Sequence, residues 1–258
     1  MASTDTQEPV QDEMILDQQR QIEKEIADSI SLIGQLEPVK VLLEEYKDDQ
    51  IYQAKVAKLT ESYPNMRRTR PDGNCFYRAF AFAYFEKLLG DKTDWERFYN
   101  LAKESKEELL QMGFPKFTLE DFHDTFVDVI GRLHAGTAMA SKELLEIFNE
   151  SHISDYIVVY LRILTSGQLQ KDSSFYENFI EGGATIKEFC QQEVEPMYKE
   201  SDHIHAIALS TALKVGVRVL YMDRGTHPQV PAHDFPDGVQ PVVHLLYRPG
   251  HYDILYAS

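Results

Sequence analysis

The segment RPDGNCFYRAF, residues 70–80, places a single cysteine between a polar turn and an apolar run. A cysteine is a nucleophile only as its thiolate, and the partial positive charge at a helix N-terminus favours the thiolate. The turn PDGN, residues 71–74, interrupts the extended segment before it, and the apolar run after Cys75 is typical of a buried helix. Cys75 is therefore a candidate nucleophile at the start of a helix.

The same turn offers backbone donors. We expect free N–H groups of Asp72, Gly73, Asn74 and Cys75 to stabilise the oxyanion of a tetrahedral intermediate. Gly73 would let the backbone approach a substrate closely. The alternative is a packed, unreactive thiol, because a cysteine at the start of an apolar helix often only fills the core.

A second motif, PGHYDILY at residues 249–256, supplies the partners that a thiol nucleophile requires. Side chains two apart in a strand point to the same face, so His251 and Asp253 are expected to lie side by side after the Pro-Gly turn. Asp253 would then bind one ring nitrogen of His251, and the other would act as general base toward a nucleophile. Cys75, His251 and Asp253 thus form a candidate catalytic triad.

Other potential ligands have simpler interpretations. Cys190 lies in the helical pattern TIKEFCQQEVEPMY without a turn or partner motif, which predicts an inert core thiol. His203 and His205 are two apart in a predicted helix and so point in different directions, which argues against a metal site. The sequence also contains no recognisable cofactor motif, so neither a metal nor a cofactor is expected.

Helical periodicity dominates the middle of the chain, and strand patterns come late. The predicted helices are 75–89, 94–112, 118–134, 141–149, 152–166, 173–180, 184–192 and 203–214, with two short helices in 36–62. The predicted strands are 217–222, 242–247 and 251–256, and a Pro- and Gly-rich loop separates the first two. This order favours one helix-rich α+β domain with a small late β-sheet.

The N-terminal region has a different character. Residues 1–12 are expected to be disordered. A stripe of isoleucines follows and predicts an amphipathic helix that ends near Gly34: Ile15, Ile22, Ile26, Ile30 and Ile33. Two interpretations stay open, because the stripe could pack on the protein's own core or form an arm that docks on a partner.

Composition narrows the function classes. The formal net charge of −16 over 258 residues argues against a nucleic-acid backbone as partner and favours a basic one. The apolar runs are shorter than the roughly 20 residues of a membrane-spanning helix, so no membrane association is expected. Two cysteines and an acidic, polar start predict a cytoplasmic protein, with the nucleus as a second compartment.

The strings DGNCFYR and GHYD at this separation resemble the ovarian-tumour (OTU) family of cysteine deubiquitinases, and the similarity extends through TLEDFHDTF, SDYIVVYLR, FIEGG and SDHIHAIAL. The resemblance implies a papain-like cysteine protease fold over 63–258, preceded by an N-terminal helical arm and lead-in helices at 13–62. It implies Cys75 as nucleophile, His251 as general base, Asp253 as the orienting acid, and Asp72 as the motif aspartate beside the oxyanion site.

The resemblance also implies a function, which is cleavage of ubiquitin chains, with lysine-48-linked chains as the expected substrate. The expected partners are ubiquitin, polyubiquitin and ubiquitin-conjugating enzymes (E2), and the isoleucine stripe would be the arm that binds the last of these. Two other functions remain open. One is a binding protein that sequesters these enzymes, and the other is an acyl transferase that uses the same three residues.

Overall fold

The structure is a computed structural model that describes residues 29–134, 141–180 and 182–258, and residues Leu32–Ser258 form one compact unit. The strands of the described part are β1 (Ile33–Pro38), β2 (Asn65–Thr69), β3 (Gly216–Tyr221), β4 (Ala232–Phe235), β5 (Pro241–Arg248) and β6 (His251–Tyr256). Its α-helices are α1 (Leu42–Glu45), α2 (Gln50–Leu59), α3 (Cys75–Leu88), α4 (Lys92–Gln111), α5 (Lys116–Arg132), α6 (Ser141–Asn149), α7 (Ser151–Lys171), α8 (Ser173–Tyr176), α9 (Ile186–Phe189) and α10 (His203–Leu213). Short 3₁₀ turns span Val39–Val41 and Glu177–Phe179, and a π-helical turn spans Cys190–Val194.

The six strands form one sheet in the order β1-β2-β6-β5-β3-β4. Neighbouring strands are antiparallel except for the parallel pair β3 and β5. The turn between β5 and β6 is tight, so Arg248 at the end of β5 lies opposite His251 at the start of β6. The C-terminal motif of the sequence is thus the inner hairpin of the sheet.

Helix α3 occupies the centre of the molecule, because its sequence is apolar on nearly every side and it must be surrounded to bury that surface. It packs against β5, β6 and the long helix α7. Phe76 in its first turn makes an edge-to-face contact with Tyr252 of β6, with ring centroids 5.2 Å apart. This contact fixes the start of α3, and with it Cys75, against the strand that carries the predicted base.

The sheet is covered on both faces, and β6 shows the alternation clearly. Tyr252 and Ile254 belong to the main core, which also contains α3. Leu255 belongs to a second core with Met66 and Leu246, which α1 and α2 cover. Since side chains alternate along a strand, Asp253 lies on the same side of the sheet as Leu255, the side that α1 covers.

The α+β class predicted from the sequence is confirmed, since many helices surround one six-stranded sheet. The late strands and the helices lie within a few residues of their predicted positions. The predicted small late sheet needs a correction in its extent, because β1 and β2 precede α3, and β4 lies inside the segment predicted as a loop. Among the described residues, no helix combines the length and apolarity needed to cross a membrane.

The predicted arm also needs a correction. Ile33 does not continue a helical stripe, because it is the first residue of β1, is 1% exposed and belongs to the main core. Asn149 holds it there through hydrogen bonds to the Ile33 backbone N–H (3.2 Å) and C=O (3.0 Å). The compact unit therefore starts at Leu32, and the lead-in segment up to residue 62 belongs to it. Ile30 lies in a bend and is 38% exposed, while Ile15, Ile22, Ile26 and the predicted tail 1–12 lie outside the described residues.

Candidate active site

Cys75 is the first residue of α3, as the turn before it predicts, and it is 4% exposed. Asn74 occupies the N-cap position, but its side chain makes no capping hydrogen bond to the helix. The sulfur therefore sits where a 14-residue helix concentrates the partial positive charge of its unpaired N–H groups. This position supplies the electrostatic environment that a thiolate requires.

The Asp72 carboxylate stabilises the turn from inside. Its Oδ1 accepts a hydrogen bond from the Asn74 backbone N–H (2.9 Å), and both oxygens accept from Nη1 of Arg78, at 3.0 and 2.8 Å. Arg78 is fully buried in α3 and also donates to Ser154 of α7. Asp72 thus links the turn to the two central helices, and no described contact joins its carboxylate to His251.

A second buried arginine holds the turn from the opposite side. Arg162 of α7 donates from Nη2 to Gly73 O (3.0 Å), Asn74 Oδ1 (2.9 Å) and Lys199 O (2.7 Å). Gly73 has φ = +74°, and a Cβ atom there would lie 2.3 Å from the Tyr198 carbonyl oxygen. Only glycine fits this left-handed position under a neighbouring backbone. These contacts hold the turn on both sides, from Arg162 and from the backbone at Tyr198.

The four predicted oxyanion donors are not equivalent. The Asp72 N–H donates to Arg70 O (3.0 Å), and the Asn74 N–H is taken by the Asp72 carboxylate. Among the described residues, no acceptor is found for the backbone N–H groups of Gly73 and Cys75. These two amides are therefore the donors available to a bound oxyanion.

His251 and Asp253 lie side by side on β6, and the His251 Nε2 to Asp253 Oδ1 distance is 2.9 Å. Asp253 is completely buried, and burial by itself would raise its pKa. The hydrogen bond from His251, the charge of Arg248 and the Thr69 N–H outweigh burial and lower the pKa of Asp253. Asp253 is thus a buried carboxylate held in its charged form.

The ring of His251 interacts with both Asp253 and Cys75. Burial lowers the pKa of His251, but the interactions with Asp253 and Cys75 outweigh it and raise the pKa to about 9. Nδ1, the ring nitrogen not bonded to Asp253, is buried and has no hydrogen-bond partner among the described residues. The structure thus brings Cys75, His251 and Asp253 together, with an imidazolium favoured at neutral pH.

Three comparisons with known proteins place the chain in a family. The family model Peptidase C65 Otubain matches residues 25–257. The chain belongs to this family. It is 55% identical to the ubiquitin thioesterase OTUB1 of Homo sapiens over 246 residues, which cover 95% of this chain and 90% of that protein. It is 36% identical to human OTUB2 over 230 residues, which cover 89% and 97% of the two proteins.

Solved structures of the otubain family include a close match to the fold. A chain of the h/ceOTUB1–ubiquitin aldehyde–UBCH5B~Ub complex aligns with a TM-score of 0.90 and 35% identity, over 96% of this chain and 99% of that one. A related complex contains UBC13~Ub in place of UBCH5B~Ub, with a TM-score of 0.89. The resemblance noted from two short motifs is therefore a family relationship along almost the whole chain.

The otubain site contains residues that the sequence did not single out. Arg78, Arg162 and Arg248 are all buried or nearly buried, and each holds a part of the site. Their positions in otherwise apolar helices and strands were the available signal, because a buried arginine needs acceptors around it. No cluster of three or more His, Cys, Asp or Glu suited to a metal ion occurs within the described parts of the chain.

Proposed function

We propose that this otubain-family protein is a cysteine isopeptidase that cleaves ubiquitin chains, with lysine-48 linkage preferred, through Cys75, His251 and Asp253. The observation that carries the proposal is the contact of His251 with a buried carboxylate, on the strand that packs against the helix N-terminus where Cys75 lies. The names of the relatives, which are ubiquitin thioesterases, support ubiquitin as the substrate. The lysine-48 preference rests on the resemblance to the family.

The reaction follows from the roles of these groups. The Cys75 thiolate attacks the carbonyl carbon at the end of ubiquitin, and the negative charge that develops on oxygen is stabilised by the N–H groups of Gly73 and Cys75. The imidazolium of His251 protonates the lysine amine as the isopeptide bond breaks. Water, deprotonated by His251, then attacks the thioester, which releases the ubiquitin carboxylate and returns the proton to the Cys75–His251 pair.

Asp253 and Asp72 have separate tasks in this scheme. Asp253 orients His251 and stabilises its charged form, because it accepts a hydrogen bond from the ring. Asp72 shapes the turn that presents the two amide donors, because its carboxylate is committed to Asn74 and Arg78. Asp72 thus supports the oxyanion site through the backbone.

The decisive test is incubation with a panel of linkage-defined di-ubiquitins. The wild-type protein should cleave the lysine-48 linkage fastest, and Cys75→Ala should retain less than about a hundredth of that activity, since the covalent intermediate cannot form. Cys190→Ala is the matched control and should keep wild-type activity. Cleavage by Cys75→Ala at a comparable rate would refute the assignment of the nucleophile, and equal rates for all linkages would refute the preference.

A second candidate function is favoured by the structural relatives, whose complexes contain UBCH5B~Ub and UBC13~Ub. We infer that this protein binds ubiquitin-charged conjugating enzymes through the predicted arm. Ile22→Asp with Ile26→Asp should weaken that binding and leave the melting temperature unchanged. Ile33→Asp should instead lower the melting temperature, because Ile33 is a core residue of β1. Equal destabilisation by both changes would refute a partner-facing role for the stripe.

A further inference from the structure

Arg248 lies at the end of β5, directly opposite His251 in the hairpin, and its side chain is 15% exposed. Its Nη2 donates to Oδ2 of Asp253 at 2.5 Å. The other carboxylate oxygen, Oδ1, receives the His251 ring (2.9 Å) and the Thr69 backbone N–H (3.0 Å). Each oxygen of Asp253 therefore has its own donors, and Arg248 alone among the described side chains holds Oδ2.

Separate donors on the two oxygens fix the rotation of the Asp253 carboxylate. A carboxylate held at one oxygen can turn about its last torsion angle, which is broad and weakly restricted. The bond from Arg248 to Oδ2 removes that freedom and leaves Oδ1 aimed at His251. A completely buried carboxylate also requires a compensating cation to remain charged. Arg248 meets both requirements.

Arg248 is itself positioned from the other side. Its Nη1 donates to the Tyr46 hydroxyl and to Glu45 Oε2, both at 3.2 Å. Glu45 also pairs with Arg68 of β2, and Arg68 in turn donates to Glu37 of β1 at 2.6 Å. The guanidinium is thus clamped between the hairpin and the α1 region, on the face of the sheet where Asp253 lies.

We propose that Arg248 is a positioning residue for catalysis, which acts on His251 by fixing the orientation and charge of Asp253. The proposal rests on the function proposed above and deepens it. Arg248 touches neither the thiol nor the reacting carbonyl in this scheme, so its effect must pass through Asp253.

Removal of Arg248 should change the pH dependence as well as the rate. The titratable and charged groups that contact Asp253 and Arg248 from the surrounding elements are His251 on β6 and Glu45 and Tyr46 at α1. One step further out, Arg68 on β2 pairs with Glu45, and Cys75 on α3 interacts with His251. Without Arg248, His251 is the remaining cation in direct contact with Asp253, so the pKa of Asp253 rises. Protonation of Asp253 would then withdraw support from the imidazolium at a higher pH than in the wild-type protein.

The first measurement is the pH profile of kcat/KM for lysine-48-linked di-ubiquitin. Arg248→Met should lower kcat/KM by about 10²-fold at pH 7.5, mainly through kcat, because a misaligned catalytic group costs that much. The acid limb of the profile should move up by about one pH unit or more. Arg248→Lys, which restores the charge but not the planar fork, should recover part of the rate and the position of the acid limb.

Arg218→Met is the matched control. Arg218 is also a strand arginine with a carboxylate partner, Asp234, at 2.7 Å, but it lies on β3 next to the edge strand β4. Its loss should leave the pH profile unchanged. If Arg248→Met gives wild-type rates, or lowers the rate equally at every pH as a general loss of folded protein would, the proposal is overturned.

A double-mutant cycle keeps the test valid if Arg248→Met folds poorly because of the uncompensated carboxylate. Asp253→Asn combined with Arg248→Met removes both charges, so the double variant should fold. The kcat/KM of the double variant should be within about threefold of that of Asp253→Asn alone, because a residue that acts through Asp253 has nothing left to position. A further tenfold loss in the double variant would overturn the proposal.

A spectroscopic measurement separates this proposal from the proposed function. The ring N–H of His251 that donates to Asp253 should give a downfield proton resonance in the wild-type and Arg218→Met proteins, and this resonance should disappear in Arg248→Met and Asp253→Asn. If no di-ubiquitin is cleaved, the proposed function fails while this resonance still tests Arg248. Persistence of the resonance in folded Arg248→Met would overturn the positioning role.

Discussion

Cys75 and Cys190 are both buried thiols in helical segments, and their surroundings differ in the properties that control reactivity. Cys75 begins a helix after a rigid turn and interacts with the imidazolium of His251. Cys190 follows α9 without interruption, and among the described residues its thiol has the Ser166 carbonyl oxygen, at 3.8 Å, as hydrogen-bond acceptor. Burial therefore does not distinguish the reactive cysteine from the inert one. The charges next to each thiol make the difference.

The region around Cys190 shows the effect of burial alone. Its neighbours form a separate apolar cluster of Leu169, Tyr176, Ile186, Val194, Ile204 and Ala208. Burial raises the pKa of Cys190 to about 11, and the weak hydrogen bond to Ser166 offsets this only in part. Arg162 connects the two regions, since it donates to Val194 O on one side and to the Gly73–Asn74 turn on the other. One arginine thus stabilises the backbone of both cysteine segments, while the Cys75 thiol in addition interacts with His251.

The largest expected difference is in alkylation. With a pKa of about 11, Cys190 has a thiolate fraction on the order of 10⁻³ to 10⁻⁴ at pH 7.5, and it is also shielded by the core. Iodoacetamide should therefore modify Cys75 at least about 10³ times faster than Cys190 in the folded protein. Peptide mass spectrometry after timed labelling measures both rates. Comparable rates in the folded protein would contradict the contrast between the two sites.

The next largest effect should come from Asp253→Asn, which makes the Cys75 site more like the Cys190 site. The amide can present its NH₂ group to His251 and favour the wrong tautomer, a change that costs about 10⁴-fold in a serine-protease triad. We expect a smaller loss of kcat here, because a thiol paired with histidine is a better nucleophile than a hydroxyl. Alkylation of Cys75 should slow in the same variant. Wild-type turnover between pH 6 and 8 would show that another group orients His251.

Gly73→Ala should cause an intermediate loss of activity, because the added methyl group clashes with the backbone at Tyr198. The new Cβ would lie 2.3 Å from the Tyr198 carbonyl oxygen, so the turn or the loop at 198 must move. A displacement of the turn by about 1 Å should lower kcat/KM by about 10²-fold. The same displacement should destabilise the fold. Gly113→Ala is the matched control, because Gly113 has a similar left-handed φ of +93° with no atom within 4 Å of the added Cβ. It should cost only about 1 kcal/mol of backbone strain and leave activity intact. Equal activity losses in the two variants would contradict a special role for the Gly73 contact.

The comparison also shows what the sequence could predict. Strand periodicity predicted that His251 and Asp253 lie side by side after the Pro-Gly turn, and the structure has them so. Such a prediction needs only a short local motif. Strands β1 and β4 were missed, because IGQLEP and AHDF have little strand pattern of their own and pair with segments distant in sequence, such as Ile33 with Thr69. The same limit applies to Arg162 and Arg248. Their acceptors lie on other elements, so only the folded chain brings them to the site.

The smallest effect should come from Cys190→Ala. The change removes one buried sulfur atom and leaves a small void, which should lower the free energy of unfolding by about 1 kcal/mol. In a chain of this size that corresponds to a fall in melting temperature of about 2–4 °C. Steady-state kinetics with di-ubiquitin should be unchanged, because Arg162 still holds Val194 and the turn through its guanidinium. A folded Cys190→Ala protein without activity would mean that the roles of the two cysteines are reversed, or that the apolar cluster around Cys190 controls the conformation of the Cys75 turn.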